Sequence, residues 1–443
     1  MFGSLRLFSH TINQGGVVRA PLGTLSMGYL GGIAGNTAAI NLLPGSVTST
    51  SALGLMMPYG GTVDGVVWNY AGKQTVLEGV VSDQRGVTLS SMAVNVAPGA
   101  TIDLRGGGEL TGAGFSSGRG GSVDVLLHPL SDAGPAYSGY SSSGNEVFAI
   151  VPGQASGYAP VAAEAGAANP AIGRKITLDG GTPGLPAGAY ALMPSTYALL
   201  PGAFRIEISA ADSRGVAPAV ALSNGSFIAS GRLGVAHTGI SDSLARQVIL
   251  TPGDKVRSHS SYNEMTYADY VRADAARLGV PRAMSPLDGK NLFLQLTPGA
   301  GGNALRFDGS VDFSAVTGGF AGSAVISVGG SGKIEVLAAG GAPTDGFDGV
   351  SLYADTVNRL GARRLVIGAP GLVKYGQSGN YFTFSQTRGS DSIFLRQGAI
   401  LSAAFATPEC CPASTAASSK APHPGSACGR PTRRSICSPP AAT

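Results

Sequence analysis

The chain has 443 residues; 68 are glycine, 27 are proline and only 13% are charged. Glycine is about twice its usual share and charge about half, so a helical bundle is excluded. The glycines keep no period of three, which excludes collagen, and no apolar run approaches the ~18 residues of a membrane-crossing helix. The formal charge of +4 comes largely from residues 408–443, where Lys420, Arg430, Arg433 and Arg434 stand against Glu409. The rest is close to neutral and carries no charge signature for nucleic acid.

The N-terminus, MFGSLRLFSHTINQGGVVRAPLG, has no continuous apolar stretch and no small-residue cleavage site, so it does not read as a signal peptide. Residues 1–131 then read as short strands. VTLSSMAVNVAPGATIDLRG (87–106) and GSVDVLL (121–127) place apolar residues at every second position, the period of a half-buried strand. Val94, Val96, Ile102 and Leu104 fit one face. Residues 132–203 are rich in Gly, Pro, Ala, Tyr and Ser and read as long ordered loops or an inserted subdomain. Alternation resumes over 204–406, at FRIEISA (204–210), RQVILTPG (246–253), NLFLQL (291–296), ALRFDGSVDFSAV (304–316), SAVISVGGSGKIEVLAAG (323–340) and RLVIGAPG (364–371).

Pro-Gly corners at 97–100, 200–203, 251–254 and 297–300 separate these strands. Proline presets φ and glycine accepts positive φ, so each predicts a type II turn. Short strands joined by such corners predict an all-β chain coiled as a parallel β-solenoid, about 15 coils spaced ~4.8 Å apart, roughly 70 Å in all. A β-sandwich or barrel would also carry many short strands, but the turns are irregularly spaced and the chain is long for one sandwich.

Two stretches read as helices. Over 263–278, Met265, Ala268, Val271, Ala275 and Leu278 recur at helical spacing, with Ser261 or Asn263 as cap and Gly279 as stop. A shorter turn is expected within 351–362, ended by Gly361. Residues 407–443 change composition abruptly and read as a disordered tail; out-of-frame translation of GC-rich coding sequence would account for it. All four cysteines, Cys410, Cys411, Cys428 and Cys437, lie there.

No motif carries convincing chemistry. Gly114-Phe115-Ser116-Ser117-Gly118 matches G-x-S-x-G, but a nucleophile needs a strand-to-helix elbow, and a glycine loop between strands is expected here. Residues 328–333 imitate a P-loop, yet Ser327 stands at the first glycine and Ile334 replaces the magnesium-binding Ser/Thr. His10, His128, His237, His259 and His423 are scattered, and the cysteine spacing fits no structural zinc site. Asp345 and Asp348 occur once, not in the tandem repeat a calcium-binding solenoid needs. Arg205, Glu207, Asp212 and Arg214 read as a solvated face. No catalytic, cofactor or metal residue is therefore assigned, no cofactor is expected, and the ligand-binding residues stay unknown.

Four runs resemble the large filamentous haemagglutinin-like exoproteins of proteobacteria: VNVAPGATIDLRGGGELTGAGFSSGRGGSVDVL (94–126), VFAIVPGQASGYAPVA (147–162), GLPAGAYALMPSTYALLPGAFRIEI (184–208) and DGVSLYADTVNRLGARRLVIGAP (348–370). The resemblance implies a right-handed parallel β-helix, export of a longer parent by a two-partner outer-membrane transporter, an extracellular or cell-surface location, and a role in adhesion. The chain then reads as an interior or C-proximal shaft segment without catalysis. Its expected partners are glycans or proteins of a host or neighbouring cell, met through loops near 132–203 and 255–290. The alternatives are the stalk of a contact-dependent inhibition toxin and a β-helix carbohydrate-active enzyme.

Overall fold

The computed structural model describes residues 2–31, 35–70, 72–74, 86–118, 121–153, 167–212, 218–279, 282–298, 304–328, 332–368 and 390–403. Three stacks of parallel strands surround one apolar core. The first runs, in hydrogen-bonded order, Ser4–Leu7, Thr24–Gly28, Gly86–Ser91, Asn291–Leu296, Ser323–Val328 and Arg364–Ile367. The second runs Thr11–Gln14, Ala39–Leu42, Ala93–Val96 and Leu305–Phe307. The third runs Val17–Arg19, Val47–Ser49, Thr101–Asp103 and Ser310–Asp312.

The chain lays one strand in each stack before starting the next pass, so residues far apart in sequence stand in register. Ile12, Ile40, Val94 and Leu305 form one inward row, and Met27, Leu89, Leu294 and Ile326 another. Each such side chain contributes about 1.5–3 kcal/mol when fully buried. The corner at 97–100 closes with Ala100 N–H donating to Ala97 O (3.0 Å) around Gly99 at φ +81°. The positive φ is why glycine stands there.

Between the third and fourth passes the chain builds a different structure. Strands Glu146–Ile150, Phe204–Asp212, Arg246–Pro252, Phe227–Val235, Arg174–Leu178 and Gly188–Ala191 form, in that order, an antiparallel sheet, with Val220–Ala221 added beside Phe227–Val235. The sheet curls until Ala149, on one edge, exchanges backbone hydrogen bonds of 2.9 and 3.0 Å with Met193, just past the other. Its inner face holds a core that includes Phe148, Ile176, Phe204, Ile206, Val248 and Leu250.

Four helices occur among the described residues: α1 (Leu130–Ala133), α2 (Gly253–His259), α3 (Tyr267–Leu278) and α4 (Ala354–Asn358). Thr266 caps α3 by accepting from Asp269 N–H (3.1 Å), and Gly279 ends it at φ +66°. The helix buries Tyr267, Tyr270 and Val271 against Tyr59 and Trp68.

Several expectations need correction. The chain-long right-handed parallel β-helix does not form: the strands fall into seven sheets among the described residues, the parallel stacks are three to six strands deep, and one sheet is a curled antiparallel one. Alternation has the same period in both kinds of sheet, so it could not tell them apart. The boundary expected at residue 203 falls inside the antiparallel sheet, which extends to Pro252, and parallel stacking resumes only at Asn291. The corner expected at 251–254 opens α2 instead; a Cβ on Gly253 would stand 2.5 Å from Ala198 O. Residues 263–266 belong to a strand, Tyr262–Thr266, paired with Thr111–Phe115, so the helix begins four residues later than expected. Residues 407–443, with the four cysteines and His423, lie outside the described residues, as does Arg214.

Candidate functional site

The alternation that sends Ile40 and Val94 inward sends asparagines outward on the second stack. Register places Asn13, Asn41, Asn95 and Arg306 one above another. Asn41 Nδ2 donates to Asn13 Oδ1 (2.7 Å), and Asn95 Nδ2 donates to Asn41 Oδ1 (2.9 Å). An asparagine amide has two N–H donors and two acceptor lone pairs. The ladder uses one of each on Asn41, which leaves the others for a partner.

The row ends in charge. Arg306 Nε donates to Asp308 Oδ2 (3.0 Å), and Arg359 Nη2 lies 3.6 Å from Asp308 Oδ1. Arg359 is itself fixed by Nε donating to Phe307 O (2.9 Å), so the end of α4 closes this edge of the second stack. The Arg306 side chain is 72% exposed. Asn41, Leu43, Asn95, Pro98, Arg306 and Asp308 line a groove of about 440 Å³. It offers amide donors and acceptors at the strand spacing of ~4.8 Å, a guanidinium at one end and an aliphatic wall.

The third stack carries a parallel row, Arg19, Ser49, Asp103 and Asp312. Burial pushes the Asp103 carboxyl up, but Arg105, hydrogen-bonded to it at 2.9 and 3.1 Å, outweighs burial and leaves it below the usual carboxylate range. Arg105 also stands 3.8 Å from Asp312, bridging two rungs. A second cleft of about 440 Å³ lies between α3 and the segments 53–56 and 107–110; its lining is mostly aliphatic, and Asp269 and Arg272 pair at 2.8 Å beside it.

The motif residues read from sequence do not converge. Gly114 and Phe115 lie in the strand Glu109–Phe115, and Ser116 N–H donates to Ser261 O (2.9 Å). The chain forms no elbow there. A Cβ on Gly112 would sit 2.3 Å from the Trp68 ring and one on Gly114 2.4 Å from Thr62 O, so these glycines permit close packing. Lys333 is paired with Asp348 (2.9 Å), which holds that carboxyl below its usual value. His128 stands 3.9 Å from Asp132 on the surface. Among the described residues, no three His, Cys, Asp or Glu side chains gather as a metal site would require.

Arg205 and Glu207 correct the reading of a solvated face: both side chains are fully buried. Phe204, Ile206 and Ile208 take the inner face of their strand, which sends Arg205 and Glu207 to the outer one. There residues 121–141 cover them. Arg205 Nε donates to Val125 O (2.6 Å) and Nη2 to His128 O (3.0 Å) and Glu207 Oε2 (2.9 Å). Glu207 also accepts from Leu130 N–H (3.0 Å), Ser141 Oγ (2.5 Å) and Asn145 Nδ2 (2.7 Å).

No known family, no curated protein and no solved structure matches the chain.

Proposed function

We propose that the chain is a structural and adhesive segment of a cell-surface exoprotein, acting by binding and without catalysis, and that the groove on the second stack is the face that meets a glycan. The observation that carries this reading is the outward asparagine ladder, ending on Arg306 and Asp308 beside Leu43 and Pro98. A linear polyhydroxylated chain presents hydroxyls along its length, each able to donate and accept. The spare amide groups of the ladder match that chemistry rung by rung. The aliphatic wall suits the apolar face of a sugar ring, and Arg306 suits an acidic substituent. The resemblance to large exoproteins supports the adhesive setting, and the parallel stacks supply a rigid platform, because each rung is fixed by its neighbours.

The test is a glycan array probed with the labelled full chain and with Asn95→Leu and Arg306→Met variants. Saturable binding to linear glycans, weakened by either change, is expected. Equal binding by all three proteins would place recognition elsewhere, and no binding by any would remove the glycan from the proposal.

A further inference from the structure

The cover formed by residues 121–141 is tied at its end by Tyr140, whose backbone O accepts from Gln247 Nε2 (2.9 Å) and whose OH accepts from Asn224 Nδ2 (3.1 Å), and two further polar sites hold it. One is the Arg205–Glu207 pair. The other is the chain between α2 and the strand Tyr262–Thr266: Ser260 Oγ donates to Val123 O (2.8 Å) and accepts from Val125 N–H (3.1 Å), and Tyr262 OH donates to Asp124 Oδ1 (2.7 Å). His259 joins them, with Nδ1 3.1 Å from Tyr137 OH and its ring edge-on to Tyr137 at 5.5 Å. Two atoms here are buried with no hydrogen-bond partner among the described residues, Arg205 Nη1 and His259 Nε2.

That pairing has a chemical consequence. Arg205 keeps its charge at any ordinary pH. A second proton on His259 turns both ring nitrogens into donors. Nε2–H would then be a buried donor without an acceptor, in a place already under the field of a guanidinium. A buried donor left unsatisfied, and a like charge nearby, both oppose the closed state.

We infer that residues 121–141 form an acid-released cover, which lifts when His259 is protonated beside Arg205 and bares the apolar outer face of the sheet. Ala149 and Ile249 of that face, with Tyr197 and Leu199 of the turn Ser195–Leu199 beside it, form the apolar surface against which Val125, Leu126 and Leu130 of the cover are packed. Burial first, and then the Arg205 charge, holds the imidazole below its ordinary value of 6.5. The stabilisation given by neutral His259 is therefore whole above about pH 6.5 and is lost as the pH falls below it.

The other charged groups of this region do not act in the same sense. Glu207 and Asp124 already hold their hydrogen bonds from the cover and from Tyr262. Arg257 is paired with Glu264 at 2.5 Å, and Lys255 with Asp254 at 3.4 Å. His128 stands 3.9 Å from Asp132 on the surface and meets the Arg205 guanidinium through its backbone O.

The experiment follows amide hydrogen exchange of residues 121–141 in the full chain from about pH 7.5 to 5, corrected for intrinsic rates, with a solvatochromic apolar dye in parallel. Each pH unit through the linked range changes the closed-to-open ratio up to tenfold. About tenfold faster exchange and a rise in dye binding are expected near pH 5. The single tryptophan, Trp68, lies in the separate cluster beside α3 and should keep its emission. His259→Gln should stay closed near pH 5, whereas His128→Gln should open like the parent. Unaccelerated exchange in the parent, equal opening in His259→Gln, or a Trp68 change with the same midpoint would each overturn the inference.

Discussion

Replacing Glu207 by alanine removes the acceptor of four hydrogen bonds buried in the antiparallel part of the molecule. The carboxylate accepts from Leu130 N–H, Ser141 Oγ, Asn145 Nδ2 and Arg205 Nη2, all within 3.0 Å, and neither it nor Arg205 is exposed. The substitution leaves the guanidinium buried without its counter-charge. Breaking a buried pair from one side costs about 3–5 kcal/mol, a large part of the ~5–15 kcal/mol that holds a typical domain together. Arg205→Leu combined with Glu207→Leu removes both charges. It still orphans Val125 O, His128 O and Leu130 N–H, at about 1–3 kcal/mol for each buried group left unpaired. The double variant should therefore remain destabilised, but by less than the sum of the single changes, with a coupling energy of up to about 3 kcal/mol. Urea titration followed by far-ultraviolet circular dichroism measures Glu207→Ala, the two single leucine changes and the double variant. A loss below about 1 kcal/mol in Glu207→Ala would mean that water reaches the pair and would refute the reasoning.

Three further outcomes are expected. Ile40→Ala hollows the inward row between Ile12 and Val94 and should cost about 2–5 kcal/mol in a thermal or urea melt; a cost near zero would contradict a shared core. Gly112→Ala puts a methyl 2.3 Å from the Trp68 ring, so it should shift tryptophan emission and cost about 1–3 kcal/mol, and an unchanged spectrum would count against the packing described. Burial pushes Glu335 up, but hydrogen bonds from Ser351 (2.7 Å), Thr344 (2.8 Å) and Arg396 (2.9 Å) leave it below its ordinary 4.5. Its contribution is complete above that value and is lost as the pH falls through the lower folded one. Glu335→Gln should flatten the acid limb of a stability–pH curve, and an unaltered limb would exclude the linkage.

The strand faces were legible in the sequence, because alternation reports which side chains turn inward. Val94, Val96, Ile102 and Leu104 alternate onto one face, and all four are buried. The sense of pairing was not legible. FRIEISA and RQVILTPG alternate as the parallel strands do, yet they pair antiparallel. Burial of Arg205 and Glu207 was hidden for a related reason: their partners Val125 and Leu130 come from 80 and 77 residues away. The asparagine ladder left no repeat signal, since Asn13, Asn41 and Asn95 are separated by 28 and 54 residues. Passes of such unequal length stack in space without a period in sequence. Helical spacing alone starts α3 too early, because Tyr262–Thr266 finds a strand partner in Thr111–Phe115, and a long-range pairing of this kind outweighs local helical spacing.

The central claim, that the outward polar face of the second stack is a recognition surface, is tested most directly on cells. The measurement is saturation binding of the full chain to host cells and to neighbouring bacterial cells, beside a variant combining Asn95→Leu with Arg306→Met. Circular dichroism of both proteins first establishes equal folding. The account predicts saturable binding by the parent chain and at least a tenfold weaker affinity, about 1.4 kcal/mol, for the variant. Equal affinity in the two proteins would contradict it.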